Sequence, residues 1–338
     1  MIYIVIAFLW ASILLYLLLG GADFGAGIIE FFTSRKNKEQ TRATLYHAIG
    51  PIWEANHMWL IISIVILFVG FPDIYATMSV YLHIPLTIML IGIIARGTAF
   101  TFRHYDAVAD GMQYLYSKIF MYSSIITPLF LGIIAGTTVS GTIDTNAPDF
   151  TSGYLFSWLG LFPLFVGLFT VAICGYLAAI YLIGEAENKE DRERFIVKAR
   201  SMCIGAAACG ILVFDVALWK KIPLFTWMFG NPIGVVAVTA AIISLIVMWY
   251  LIRKGKTKII RVLAGFQVTM ILLTITYRHF PNIILFKDGS YLSLMEHHGQ
   301  DKTIEALGWA LLLGSIFILP ALFYLMYSFQ KKTVPAAR

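Results

Sequence analysis

Nine stretches of this chain run apolar for about 20 residues or more, the length a helix needs to cross a hydrocarbon core about 30 Å thick. They fall at about 3–32, 47–70, 74–102, 115–138, 155–183, 199–218, 232–252, 259–277 and 305–328. In lipid every backbone N–H and C=O must be paired within the protein, and for uninterrupted apolar runs of this length the helix does that. The fold class is therefore all-α, a polytopic integral membrane protein. Only 13% of the 338 residues are charged and the mean hydropathy is +0.80, which excludes an ordinary soluble enzyme. The first span starts two residues into the chain without a basic leader or an A-x-A-like cleavage site, so it reads as a retained helix.

Nineteen of the 25 lysines and arginines fall after the first, third, fifth and seventh spans and in the C-terminal tail, against five on the opposite side. The positive-inside rule then puts the N-terminus outside and the C-terminus in the cytoplasm of a bacterial or archaeal plasma membrane. The net charge of +6 reports this topology, not a nucleic-acid partner. A short likeness between residues 27–39 and 183–190 suggests a duplicated four-helix unit, although convergent loop chemistry explains it equally well. Duplication gives two four-helix bundles plus one additional helix. Residues 1–138 form the first unit, 139–304 the second with a long outer loop, and 305–338 the ninth helix and cytoplasmic tail. The loop 278–304 either caps an outer opening or is a solvated linker. Cys174, Cys203 and Cys209 sit in apolar segments without ligand spacing, so neither a disulfide framework nor a zinc site is expected.

The expensive residues are the polar ones inside the spans, because a charge at a helix centre costs roughly 2.5–3.5 kcal/mol on insertion scales. Glu54, Asn56 and His57 occupy the first turns of the second span. On a helical wheel Trp53, Asn56 and Trp59 gather on one side, suited to packing, and Glu54, His57 and Met58 on the other, suited to proton traffic. Asp23 lies in the glycine-rich Gly20–Gly27 stretch of the first span, either as a hydrogen-bonded packing residue or as a proton-path carboxylate. Asp23 and Glu54 fall at comparable depth on antiparallel helices and are expected to share one hydrated entry. Arg96 can snorkel, pair with Asp23 or Glu54, or bind a lipid or cofactor phosphate. Asp215, beside Trp219 and Lys220, is expected to pair locally. Glu54-x-x-His57 has the spacing of half a di-iron site, but no second such pair exists, so no metal is expected. Of seven histidines only His57 and His83 lie deep enough to ligate a haem, so none is expected on this chain.

Gly20-Gly-Ala-Asp-Phe-Gly-Ala-Gly27, Pro51-Ile-Trp-Glu-Ala-Asn-His-Met-Trp59 and Arg96 followed by Phe102-Arg103 occur in this order. Together they resemble subunit II of the cytochrome bd-type quinol oxidases. The resemblance implies a haem-free subunit of a respiratory quinol:oxygen oxidoreductase. Its partner, subunit I, carries b-type haems and haem d, or a third b-type haem in its place, together with the site that oxidises quinol. This chain itself would hold no catalytic residue or cofactor. It would stabilise subunit I and conduct protons from the cytoplasm through Glu54 and Asp23, with Asn56 and His57 completing the relay. Trp53, Trp59, Arg96 and Arg103 would be structural or interface residues. Membrane lipid, quinol and small single-span subunits are the other partners it implies. Many members have Asp-Gly-Phe-Asp where this chain has Gly20-Gly-Ala-Asp23, and Asp where it has Glu54. From the residues alone, a proton-coupled secondary transporter is the alternative. It would act as a single chain with inverted repeats, whereas the repeat here is parallel. A purely structural assembly subunit is a third reading.

Overall fold

The computed structural model describes residues 1–49, 53–105, 111–186 and 188–331. Gly50 and Pro51 of the second-span motif, Glu187 of the short repeat, and Lys332 and Arg338 of the tail lie outside them. Among the described residues nine helices are long and apolar enough to cross a membrane. The first is a continuous rod of α1 (Ile2–Leu15) and α2 (Gly21–Phe31), joined by a π-helical turn at Tyr16–Gly20. A short 3-10 turn (Arg35–Asn37) and α3 (Lys38–Ile49) lead to α4 (Trp53–Gly70).

The expected third span, 74–102, is two helices: α5 (Pro72–Tyr81) and α6 (His83–Tyr105). The cause is Pro85, which has no N–H to donate and whose ring would clash with the carbonyl of Tyr81, the last residue of α5. Next come α7 (Gly111–Ser140), α8 (Leu161–Ile183) and α9 (Lys189–Trp219), which begins ten residues before the expected 199. The short α10 (Leu224–Phe229), α11 (Pro232–Arg253) and α12 (Lys258–His279) follow, then a hairpin of β1 (Asn282–Leu285) and β2 (Tyr291–Ser293), and finally α13 (Asp301–Lys331).

The hairpin decides between the two readings of the 278–304 loop. Ile284 and Leu294 are buried, Gly299 donates its N–H to the Gly70 carbonyl at 2.8 Å, and the Lys287 N–H meets the Ile143 carbonyl at 2.9 Å. It is a packed cap over the ends of α4 and α7, not a linker. The Lys287 ammonium, 2.8 Å from Asp144, holds that carboxyl below the usual carboxylate range.

One large core surrounds α8, walled by α2, α9, α11 and α12; another joins α1, α4, α6 and α7 with the hairpin. Small residues set the approach of α2. Gly21 faces the Cys174 sulfur of α8, and a Cβ at Gly25 would overlap the Cys174 carbonyl. On another face of α2, a Cβ at Gly27 would overlap the Ser124 side chain of α7. Such close crossings are how helices associate where no hydrophobic effect separates lipid from protein. Gly25→Ala is therefore expected to lower stability by about 1–3 kcal/mol, the cost of overpacking. Gly205→Ala, where nothing lies within 4 Å, should leave it unchanged. Thermal midpoints of the detergent-solubilised protein check both.

Candidate functional site

Asp23 sits in the first turn of α2, between the glycines that let α7 and α8 approach, and its side chain is 0% exposed. Arg96 of α6 reaches it from the side. Its Nη1 donates to Oδ2 at 3.0 Å, its Nη2 to Oδ1 at 2.9 Å and to the Asp23 carbonyl at 2.7 Å, and its Nε to Ser124 Oγ at 3.0 Å. The guanidinium lies 4.9 Å from the ring centre of Phe120 and 5.2 Å from that of Phe24. At 1% exposure Arg96 neither snorkels nor faces a headgroup. Of its three sequence readings, the pair with Asp23 is the one found. A bidentate arginine–carboxylate contact with an extra carbonyl acceptor is among the stronger pairings in proteins, and it fixes both helices in register.

His57 completes this cluster. Its Nε2 lies 3.6 Å from Asp23 Oδ2, at the edge of a direct contact. The rings of Phe24, Tyr16 and Trp53 surround it at centroid distances of 5.8, 6.1 and 6.3 Å. His57 Nδ1 and the Tyr16 hydroxyl are both buried without a hydrogen-bond partner among the described residues. Trp53 packs on Gly97 and Phe100, while Asn56 and Trp59 face inward, as expected of the packing side of α4.

A second rung went unrecognised in the sequence. Glu30, fully buried at the end of α2, accepts from Arg42 of α3 at 2.5 Å and from Arg103 of α6 at 2.9 Å. Arg103 also lies 4.5 Å from the Phe120 ring centre. Asp23–Arg96 and Glu30–Arg103 are both 73 residues apart. The acids are spaced seven apart on one helix and the arginines seven apart on the other, so the matched spacing was the available signal.

Glu54 is placed elsewhere. It is exposed and makes no ion pair among the described residues, on a stripe of α4 with Ile61, Val65 and Phe68. The expected shared entry with Asp23 is not formed, because the Asp23 carboxylate is turned to Arg96 and the inward direction from α4 is taken by His57. The structure thus unites Asp23, His57, Arg96 and Trp53, ties Arg103 to Glu30, and leaves Glu54 as a carboxylate on an outward apolar face. Asp215, expected to pair locally, is exposed and forms no ion pair among the described residues. No group of three or more His, Cys, Asp or Glu with metal-site spacing occurs among the described residues.

A family model described as cytochrome bd terminal oxidase subunit II matches residues 1–329. The cytochrome bd ubiquinol oxidase subunit 2 of Bacillus subtilis is 23% identical over 340 residues, covering 98% of this chain and 95% of that protein. The cytochrome bd-I ubiquinol oxidase subunit 2 of Escherichia coli is 27% identical over 188 residues, 53% of this chain and 49% of that protein. Among solved structures, a chain of the bd oxidase from Geobacillus thermodenitrificans superposes with a TM-score of 0.78 at 18% identity, covering 97% of this chain and 98% of that one.

Proposed function

The chain belongs to the cytochrome bd terminal oxidase subunit II family, and from that premise we propose that it is the haem-free membrane subunit of a bd-type quinol oxidase. In this reading the complex couples quinol oxidation to reduction of oxygen to water, and the redox centres reside on subunit I. The family match over residues 1–329 is the observation that carries the reading. Support for the haem-free assignment comes from three of the span histidines, which face neighbours of their own chain. His57 is enclosed by three aromatic rings with Nε2 toward Asp23, His83 is bonded to the Val80 carbonyl at 2.8 Å, and His279 packs edge-on against Trp227.

Oxygen reduction consumes protons, and the chain's contribution is to deliver them. Glu54 takes up the proton. A carboxylate on an apolar outward stripe is costly against lipid and makes sense where a partner subunit covers it. Subunit I lies against this face of α4, and its burial brings Glu54 into a water-poor seam leading toward the oxygen-reducing centre. His57 and Asn56, one helical turn or less away, line the inner side of that seam. Asp23 acts as a fixed charge: locked to Arg96, it orients the imidazole of His57 and offsets charge that arrives there. With most basic residues at the end where α2 finishes and α4 begins, that end faces the cytoplasm, so Glu54 lies near the side from which protons are drawn.

An optical redox spectrum of the complex purified through a tag on this chain tests the premise. Reduced b-type haem bands, with or without a haem d band, should accompany quinol-dependent oxygen uptake. A colourless single chain with no such uptake contradicts it.

A further inference from the structure

Where α2 ends and α7 begins, on the outer surface of the bundle, cations and aromatic rings converge that the proton path does not use. Tyr114, Lys118 and Tyr122 form an exposed stripe on α7, each four residues from the next. The Lys118 ammonium lies 4.4 Å from the ring centre of Tyr114. Tyr122 packs edge-on at 5.7 Å against Phe31, which in turn meets Phe32 at 5.2 Å, and all three rings are exposed. Lys198 of α9 fastens the Phe32 carbonyl at 3.1 Å. Arg35 and Lys38 follow Phe32 by three and six residues, in the 3-10 turn and at the start of α3 that lead away from α2.

Two features of these cations matter for a ligand. Arg42, Arg96, Arg103, Arg194 and Arg261 each pair with a carboxylate, whereas Arg35, Lys38 and Lys118 pair with none among the described residues. They also straddle the limit of the apolar spans, one of which ends at Phe31 and another of which starts at Met112. In this aromatic shelf Phe31 and Tyr122 therefore lie within the apolar spans with Phe32 just past the limit, while Arg35 and Lys38 lie beyond it and Lys118, six residues inside, reaches back toward it along Tyr114; none of the three cations has a carboxylate partner among the described residues. A ligand that satisfies both carries a phosphate at headgroup depth and alkyl chains beneath it.

We propose that this shelf, built from Phe31, Phe32 and Tyr122 below Arg35, Lys38 and Lys118, is a binding site for one anionic phospholipid. The phosphate accepts from the three cations, and its acyl chains lie along the rings. Each basic residue near a membrane surface strengthens attraction to anionic lipid by about 1 kcal/mol, roughly fivefold in affinity. Phosphate diester recognition by cations with an apolar floor selects lipid over a free anion, because inorganic phosphate gains nothing from the aromatic shelf.

The test uses the delipidated, detergent-purified complex and native mass spectrometry, with phosphatidylglycerol and phosphatidylcholine added separately. The wild type should retain phosphatidylglycerol in preference to phosphatidylcholine, and Lys118→Gln alone should weaken that retention about fivefold. Combined Arg35→Gln, Lys38→Gln and Lys118→Gln should abolish the preference, while Lys220→Gln with Lys221→Gln at the opposite end should leave it intact. The proposal is overturned if the triple variant keeps the preference, or if the control pair removes it. It is also overturned if inorganic phosphate raises the thermal midpoint of the complex as much as phosphatidylglycerol does. Should the triple variant not assemble, Lys118→Gln and Arg35→Gln read singly decide the matter by the same preference.

Discussion

Replacing Glu54 by Gln is expected to lower quinol-dependent oxygen uptake by about a hundredfold, within the range associated with losing a positioned proton-transfer group, while the haem spectrum of the complex should stay intact. The amide is nearly isosteric with the carboxylic acid and keeps hydrogen-bonding capacity, so packing against the partner survives; what it loses is the ability to take and release a proton. Glu54 makes no ion pair among the described residues and belongs to neither core, so the substitution removes no described salt bridge. Glu54→Asp keeps the acid but shortens its reach by one methylene, and turnover should fall only severalfold. Turnover and haem content measured on the same preparations separate the alternatives. Loss of the haem bands with Glu54→Gln would identify Glu54 as an assembly residue.

Arg96→Met is expected to be the most damaging single substitution in the first half of the chain. It leaves the Asp23 carboxylate fully buried without its cation, and breaking a buried pair in this way costs about 3–5 kcal/mol. Asp23→Asn strands the arginine instead and should cost a comparable amount. The double substitution Asp23→Asn with Arg96→Gln removes both charges and retains hydrogen-bonding groups near Ser124 and the Asp23 carbonyl. It should recover at least half of the lost stability, since a neutral replacement of a buried pair is often close to neutral. Thermal midpoints and the yield of assembled complex measure this directly. The same double variant also tests the fixed-charge role, because turnover should remain depressed after stability returns. Full recovery of both would reduce Asp23 and Arg96 to a structural clasp.

How far the sequence foretold these features depends on what kind of physics each involves. Apolar run length is a local property, and the nine spans were legible from it, although the starts expected at 47, 74, 155 and 199 differ from those found by six to ten residues, the split at Pro85 being readable in principle from its missing N–H. The glycine-rich stretch of α2 was visible in the sequence, and α7 and α8 pack closely against its glycines. What a helical wheel does not reveal is which neighbour a side chain meets. Asp23 and Arg96 were both visible as costly residues, yet their union depends on the lateral placement of α6 beside α2. Glu54 and His57 were assigned to one side of α4. Three residues apart, they diverge by about 60° around the helix, and that angle straddles the border between the inward and outward faces. Glu30 escaped notice because it sits at a span end, where a carboxylate is ordinarily solvated. Only its seven-residue offset from Asp23, matched by Arg96 and Arg103, signals a buried second rung.

The most direct test of proton delivery through this subunit is a single-turnover experiment. The fully reduced complex is mixed with oxygen, a pH-indicator dye follows proton uptake, and the haem absorbance follows electron transfer. Wild type and Glu54→Gln should bind oxygen at the same rate, but uptake in the variant should be slowed in proportion to its lost turnover, with the steps that need protons slowed alongside it. Proton uptake at the wild-type rate in Glu54→Gln would contradict the account and leave this chain as a scaffold for its partner.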